Sequence, residues 1–151
     1  MTRTDNIIID IPKSCFDTAT AELKKITCYD ISVPQFENPR IIKWRADKVA
    51  LNTYRYVLMD GKYYEQCDDY EHGISYHYIG DIECDMIAHL IYEAVWDFAM
   101  HNASERGLYG DDGISEAELI TMRCFAQLPD RYQHYFDQRI AQLKKLKDKG
   151  L

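Results

Sequence analysis

The 151-residue sequence predicts an α+β fold: a small antiparallel sheet, a meander around residues 53–79, packed against C-terminal helices at about 82–106, 115–128 and 130–148. Three observations carry this. Between 54 and 79 strand-forming residues flank a turn dipeptide, Asp60-Gly61. From Asp81 onward the apolar residues change from alternating spacing to helical spacing. Strands come first and helices after, the order of α+β chains rather than of alternating βα units.

The elements follow in order. Ile7-Ile8-Ile9-Asp10-Ile11 reads as a short strand. Pro12 and Ser14 then open a helix through Ile26, with Phe16, Ala19 and Leu23 on one stripe. Pro34, Asn38 and Pro39 make 34–40 a loop, and Ile41-Ile42-Lys43-Trp44 reads as another strand.

Tyr54–Met59 and Lys62–Cys67 are the arms of a hairpin whose Asp60-Gly61 suits a type I′ turn. A two-residue turn sets Leu58 opposite Tyr63, Tyr56 opposite Glu65 and Tyr54 opposite Cys67, so Tyr54, Tyr56, Leu58 and Tyr63 share a face. Ile74–Ile79 completes the meander.

Asp81 or Ile82 starts a long helix with Ile87, Leu90, Ile91, Ala94 and Phe98 on its apolar stripe, ending near Gly107. Residues 107–113 read as a loop. Ser115 and Glu118 have the spacing of a capping box, with Ile114 and Leu119 as its hydrophobic staple. That helix runs to Leu128, where Pro129 interrupts it. The last helix starts at Asp130, buries Tyr132, Phe136, Ile140 and Leu143, and ends in a basic tail at 144–149.

Length and composition fit one globular domain, with 46% hydrophobic and 28% charged residues and no apolar run long enough to span a bilayer. The opening residues do not read as a signal peptide. The five cysteines, at 15, 28, 67, 84 and 124, are odd in number and form no CxxC pair. Both points lead us to expect a cytoplasmic protein with reduced, structural thiols.

Charge is unevenly spread. Residues 60–118 hold 15 of the 25 acidic side chains against two bases, Lys62 and Arg106, a net of −13; the rest of the chain nets +6. Such a field repels nucleic acid and draws in cationic partners in a salt-dependent way. The expected partner is therefore a basic protein, with no nucleic acid and no membrane.

The chain has no Gly-rich phosphate loop, no HExxH, no GxSxG and no Cys/His cluster at zinc spacing. One row remains: Asp85, His89, Glu93, Asp97 and His101 recur every four residues. His89 and Glu93 could together give a metal two ligands, and a small metal-dependent hydrolase is the alternative reading. The plainer reading is a solvated polar stripe opposite the apolar one. On that reading no catalytic residue, metal or cofactor is expected.

A second candidate is the acidic stretch Glu65, Asp68, Asp69, Tyr70, Glu71 with His72. Paired aspartates could hold a hard cation or act as acid and base, though the spacing fits no EF-hand loop. The plain alternative is an exposed connection between strands. The favoured reading is a patch that docks a protein, its carboxylates facing basic side chains. Asp81, Glu83 and Asp85 extend the acidic face, and Tyr109, Asp111 and Asp112 form a lesser candidate. Six of the 12 tyrosines (54, 56, 63, 64, 76, 78) fall in the three strands. Core packing is their expected use, with an interface role for those at the edge of the sheet.

Tyr54-Arg55-Tyr56-Val57-Leu58-Met59-Asp60-Gly61-Lys62 resembles the strand-and-turn segment of an immunity protein family of bacterial polymorphic toxin systems, the family catalogued as number sixty-three. Asp85–Val95 is similar to the acidic start of that family's long helix, and Arg123-Cys124-Phe125-Ala126-Gln127-Leu128-Pro129-Asp130 to its final helix junction. The likeness covers roughly 52–145. It implies a contact-dependent-inhibition-type immunity protein, cytoplasmic, that binds and blocks one toxin domain. Nucleases must hold phosphates and are generally basic, so an acidic face suits such a toxin.

Overall fold

The computed structural model describes residues 7–31, 33, 53–69 and 72–148. The loop expected at 34–40 and the strand at 41–44 lie outside the described residues, as do Tyr70 and Glu71. The fold is α+β. Its elements are β1 (Ile8–Asp10), α1 (Lys13–Leu23), β2 (Thr53–Met59), β3 (Lys62–Asp69), β4 (Gly73–Gly80), α2 (Glu83–Glu105), α3 (Gly110–Phe125), a 3-10 turn (Asp130–Tyr132) and α4 (Gln133–Asp148). The chain divides into two compact units, one of Met1–Phe16 with Gln35–Met86 and one of Asp17–Pro34 with Ile87–Leu151.

The first unit holds an antiparallel sheet in the order β1-β2-β3-β4. Asp60 and Gly61 have φ of 55° and 75°, the left-handed pair that a type I′ turn demands. The turn fixes the register as expected, with Leu58 opposite Tyr63, Tyr56 opposite Glu65 and Tyr54 opposite Cys67. β1 takes the other edge of β2, and Asp10 ties it there: its Oδ1 accepts from Arg55 Nε at 2.9 Å and lies 2.7 Å from Arg55 Nη2.

One face of the sheet buries Tyr56, Tyr63 and Cys67. The Phe16 ring stands 6.3 Å from that of Tyr56, and the Ile11 N–H donates to the Tyr56 carbonyl at 3.2 Å. Burying each large side chain in this way contributes about 1.5–3 kcal/mol.

β3 runs on to Asp69, past the expected end at Cys67, so Asp68 and Asp69 continue the strand that holds Glu65 and are not part of an exposed connection. Their N–H and C=O groups pair with β4, whose Gly73 sits opposite Asp69. Pairing then steps from Tyr63↔Gly80 to Tyr64↔Tyr78, which leaves Ile79 as the extra residue of a β-bulge.

In the second unit α1 stops at Leu23 rather than Ile26, and a turn closes it through Ile26 N–H to Leu23 O at 3.2 Å. α2 buries Ile87, Leu90, Ile91, Val95, Ala99 and Ala103, whereas Ala94 and Phe98 are half-buried. The stripe is thus rotated from the expected one. α2 ends at Glu105, close to the expected Gly107, whose φ of 77° lets Leu108 N–H reach Ala103 O at 2.9 Å, a Schellman closure.

α3 departs most from expectation. It begins at Gly110 and not at Ser115, with Tyr109 in extended backbone as its N-cap and no side-chain capping bond. Ser115 and Glu118 are therefore interior, and Leu119 is exposed rather than stapled. The glycines that read as loop have another purpose. A Cβ on Gly113 would lie 2.9 Å from the Leu108 carbonyl oxygen, so only glycine lets the helix start this close to the preceding chain. Asp111 and Asp112 in the first turn favour the start through the helix dipole.

The expected last helix opens with the 3-10 turn, where Pro129 supplies no N–H, and becomes α-helical only at Gln133. Tyr132, Phe136 and Ile140 are buried as predicted, and the Phe136 ring stacks on Phe125 at 3.7 Å.

Candidate partner-binding face

The bulge at Ile79 decides which side chains of β4 look the same way as Tyr64. Ile74, Tyr76 and Tyr78 stand opposite Asp68, Gln66 and Tyr64, so these six share one face of the sheet. Ile74 is 57% exposed, Tyr76 36% and Tyr78 56%. Tyr64 lies between the two tyrosines with ring centroids 6.4 Å from Tyr76 and 5.7 Å from Tyr78, both edge-on. The Lys62 ammonium sits 6.0 Å from the Tyr78 ring centroid.

Carboxylates stand at both ends of this aromatic row. Asp68 is exposed opposite Ile74. Exposed Asp81 follows β4 and accepts a hydrogen bond from the Tyr78 hydroxyl. That bond, with lesser contributions from burial and from the charges of Asp81, Asp85 and Tyr64, pushes the Tyr78 phenol up to about 12. Tyr78 thus stays a neutral donor across the physiological range. The face is aromatic, negatively edged and open.

The other expected site residues fall elsewhere. Glu65 is half-buried on the opposite face of the sheet, opposite Tyr56 and His77, so it cannot share a contact surface with Asp68. The backbone of Asp69 is in β3, and Tyr70 and Glu71 lie outside the described residues. Glu83 is exposed in the first turn of α2. Asp85 is half-buried against Gly80, at which a Cβ would overlap the Asp85 side chain. Tyr109, Asp111 and Asp112 are exposed in the second unit at the start of α3.

The row of acids and histidines along α2 is not the uniform solvated stripe expected. Asp97 and His101 are exposed, but His89 is only 5% exposed. Its Nδ1 lies 2.5 Å from the Tyr135 hydroxyl and its Nε2 3.3 Å from Glu93 Oε1. The rings of His89 and Tyr135 meet edge-on at 5.9 Å. The rotated apolar stripe turns His89 inward and leaves His101 in solvent, paired with Glu105 at 3.1 Å.

Ile74 and the tyrosines 64, 76 and 78 are the site residues that sequence reasoning underused. Their alternating spacing was visible in the sequence, but alternation does not say which face is covered. No helix among the described residues is long and apolar enough to cross a membrane. No protein-family model, curated protein or solved structure matches this chain.

Proposed function

We propose that this chain is an immunity protein: a binding protein that neutralises a basic toxin domain, of the nuclease kind, by electrostatic and steric occlusion. The observation that carries the reading is the exposed tyrosine row of β4 with Asp68 and Asp81 at its ends, within a segment of net charge −13. Exposed tyrosines give contact area at low entropic cost, and carboxylates around them speed encounter with a cationic surface and hold it in register. The resemblance of residues 52–145 to an immunity family points the same way. A nuclease toxin presents a phosphate-binding groove, which an acidic surface can fill.

The test is a tagged pull-down from the source cell at low and moderate salt, with mass spectrometry of what is retained. The retained domain is then expressed with and without this chain. A basic domain that arrests growth alone and is harmless in its presence is the expected result. A retained partner that is not toxic, or a toxin whose activity the chain leaves intact, overturns the reading.

A further inference from the structure

β4 is the last strand of its sheet, and among the described residues no strand pairs with its outer edge. Soluble proteins commonly blunt such an edge with shortness, a proline, a lysine or an inward charge. β4 has none of these. It is 8 residues long, Gly-Ile-Ser-Tyr-His-Tyr-Ile-Gly, and exposed on both faces from Gly73 to Tyr78. Its one irregularity, the bulge at Ile79, lies at the far end. A row of backbone donors and acceptors of this length is a template for another strand.

Local charge selects the occupant. Asp68 and Asp81 put a carboxylate near each end of β4. A second copy of this chain would bring the same carboxylates against them, like charge against like. An arginine-bearing strand meets the opposite situation. Its alternate side chains fall over Tyr76 and Tyr78, where a guanidinium stacks on an aromatic face, and its charge is matched at both ends. Lys62 over Tyr78 is an instance, within this chain, of a cation on that surface.

We infer that the outer edge of β4 adds an extended, arginine-bearing segment of a protein partner as a further strand of the sheet, its cations lying over Tyr76 and Tyr78. This rests on the reading of a basic partner and names the surface and the mode by which it is held.

The test uses the full chain and a synthetic peptide of alternating arginine and valine. A control peptide carries methyl groups on alternate backbone nitrogens, so its charge is unchanged but it cannot complete the ladder. Hydrogen exchange at residues 74–79 is measured with and without each peptide, and affinity by titration. The parent peptide is expected to slow exchange along β4, and the methylated one to bind roughly tenfold more weakly or worse. Tyr76→Ser with Tyr78→Ser, which keeps the backbone donors, is expected to weaken the parent peptide several-fold.

Equal affinity for the two peptides would leave charge alone as the cause and overturn strand addition. So would absence of any binding, or full protection of the β4 amides in the chain alone, whether as monomer or as a dimer in solution. The two readings fail separately. A chain that takes the peptide at β4 but captures no toxin loses only the toxin reading; one that neutralises a toxin with β4 exchange unchanged loses only the edge.

Discussion

Tyr78 donates its phenolic hydrogen to the carboxylate of Asp81, three residues along the chain, where β4 gives way to α2. The bond joins the aromatic row to the acid at its end and holds both in place before any partner arrives. Preorganisation of this kind lowers the ordering cost of binding.

Its first consequence is a titration. The Tyr78 phenol is raised from 10.0 to about 12, chiefly by the bond to Asp81. A raised folded-state value stabilises the fold fully below the unfolded value, so this contribution holds below pH 10 and is lost as pH climbs through about 12. Ultraviolet titration of tyrosinate should show Tyr78 among the late-ionising groups, with Tyr63, Tyr92 and Tyr132, which burial also raises. Asp81→Asn should bring one of the four back toward the ordinary range. An unchanged titration in that variant would mean the bond is not made.

Gly80 and Asp85 give a packing prediction. A Cβ at position 80 would overlap the Asp85 side chain at its own Cβ, which cannot swing away. Gly80→Ala is expected to cost about 1–3 kcal/mol in urea unfolding. Gly73→Ala makes a useful contrast. It meets nothing within 4 Å, but its φ of 80° is strained for any side chain, a cost of about 1–2 kcal/mol. Because alanine at 85 keeps the clashing Cβ, Gly80→Ala with Asp85→Ala should recover little of the first loss, whereas Gly80→Ala with Asp85→Gly should relieve the overlap itself.

Glu22 supplies a pH dependence in the second unit. Its side chain is buried and lies 2.5 Å from Lys25 Nζ and 3.0 Å from Arg131 Nη2. Burial pushes its carboxyl up, but hydrogen bonds with Lys25 and Tyr132 and the charges of Lys25 and Arg131 outweigh that and hold it below 4.5. A lowered value stabilises the fold above the unfolded value and is lost as pH falls through the folded one. Glu22→Gln is therefore expected to destabilise by about 1–2 kcal/mol at neutral pH, with a smaller difference once pH drops well below 4.5. Unfolding curves at both pH values would show the convergence.

The thiols should separate by reactivity. Cys28 is exposed, whereas burial raises Cys15 to about 11, with Glu83 adding to it, and raises Cys124 to about 12, with Cys28 adding to it. Only the thiolate reacts, so a disulfide reagent at mildly alkaline pH should label Cys28 first. Loss of the fast phase in Cys28→Ser checks the assignment.

On the proposed reading, Asp68→Asn with Asp81→Asn is expected to slow association with a basic toxin domain roughly three- to tenfold at low ionic strength. The difference should vanish near 1 M salt, where the screening length falls to about 3 Å. Equal rates at low salt would remove Asp68 and Asp81 from the encounter surface.

Local chemistry was legible in the sequence wherever the cause is local. Asp60-Gly61 alone set the turn and, through it, the β2–β3 register; Gly107 alone closed α2. The same reading went wrong where a residue's reason lies far along the chain or in space. Gly113 looked like a loop residue because sequence cannot show the Leu108 carbonyl it must clear. His89 and His101 have the same spacing pattern, yet only the packing of α2 buries one and leaves the other in water. The acidic charge was there to be counted, but counting could not separate Glu65 from Asp68. Their side chains point to opposite faces because strand residues alternate, and only pairing with β4 shows that the strand expected to hold Glu65 also reaches Asp68. Whether the tyrosines of β4 are core or surface was decided last, by the bulge at Ile79 and by which face the rest of the unit leaves open.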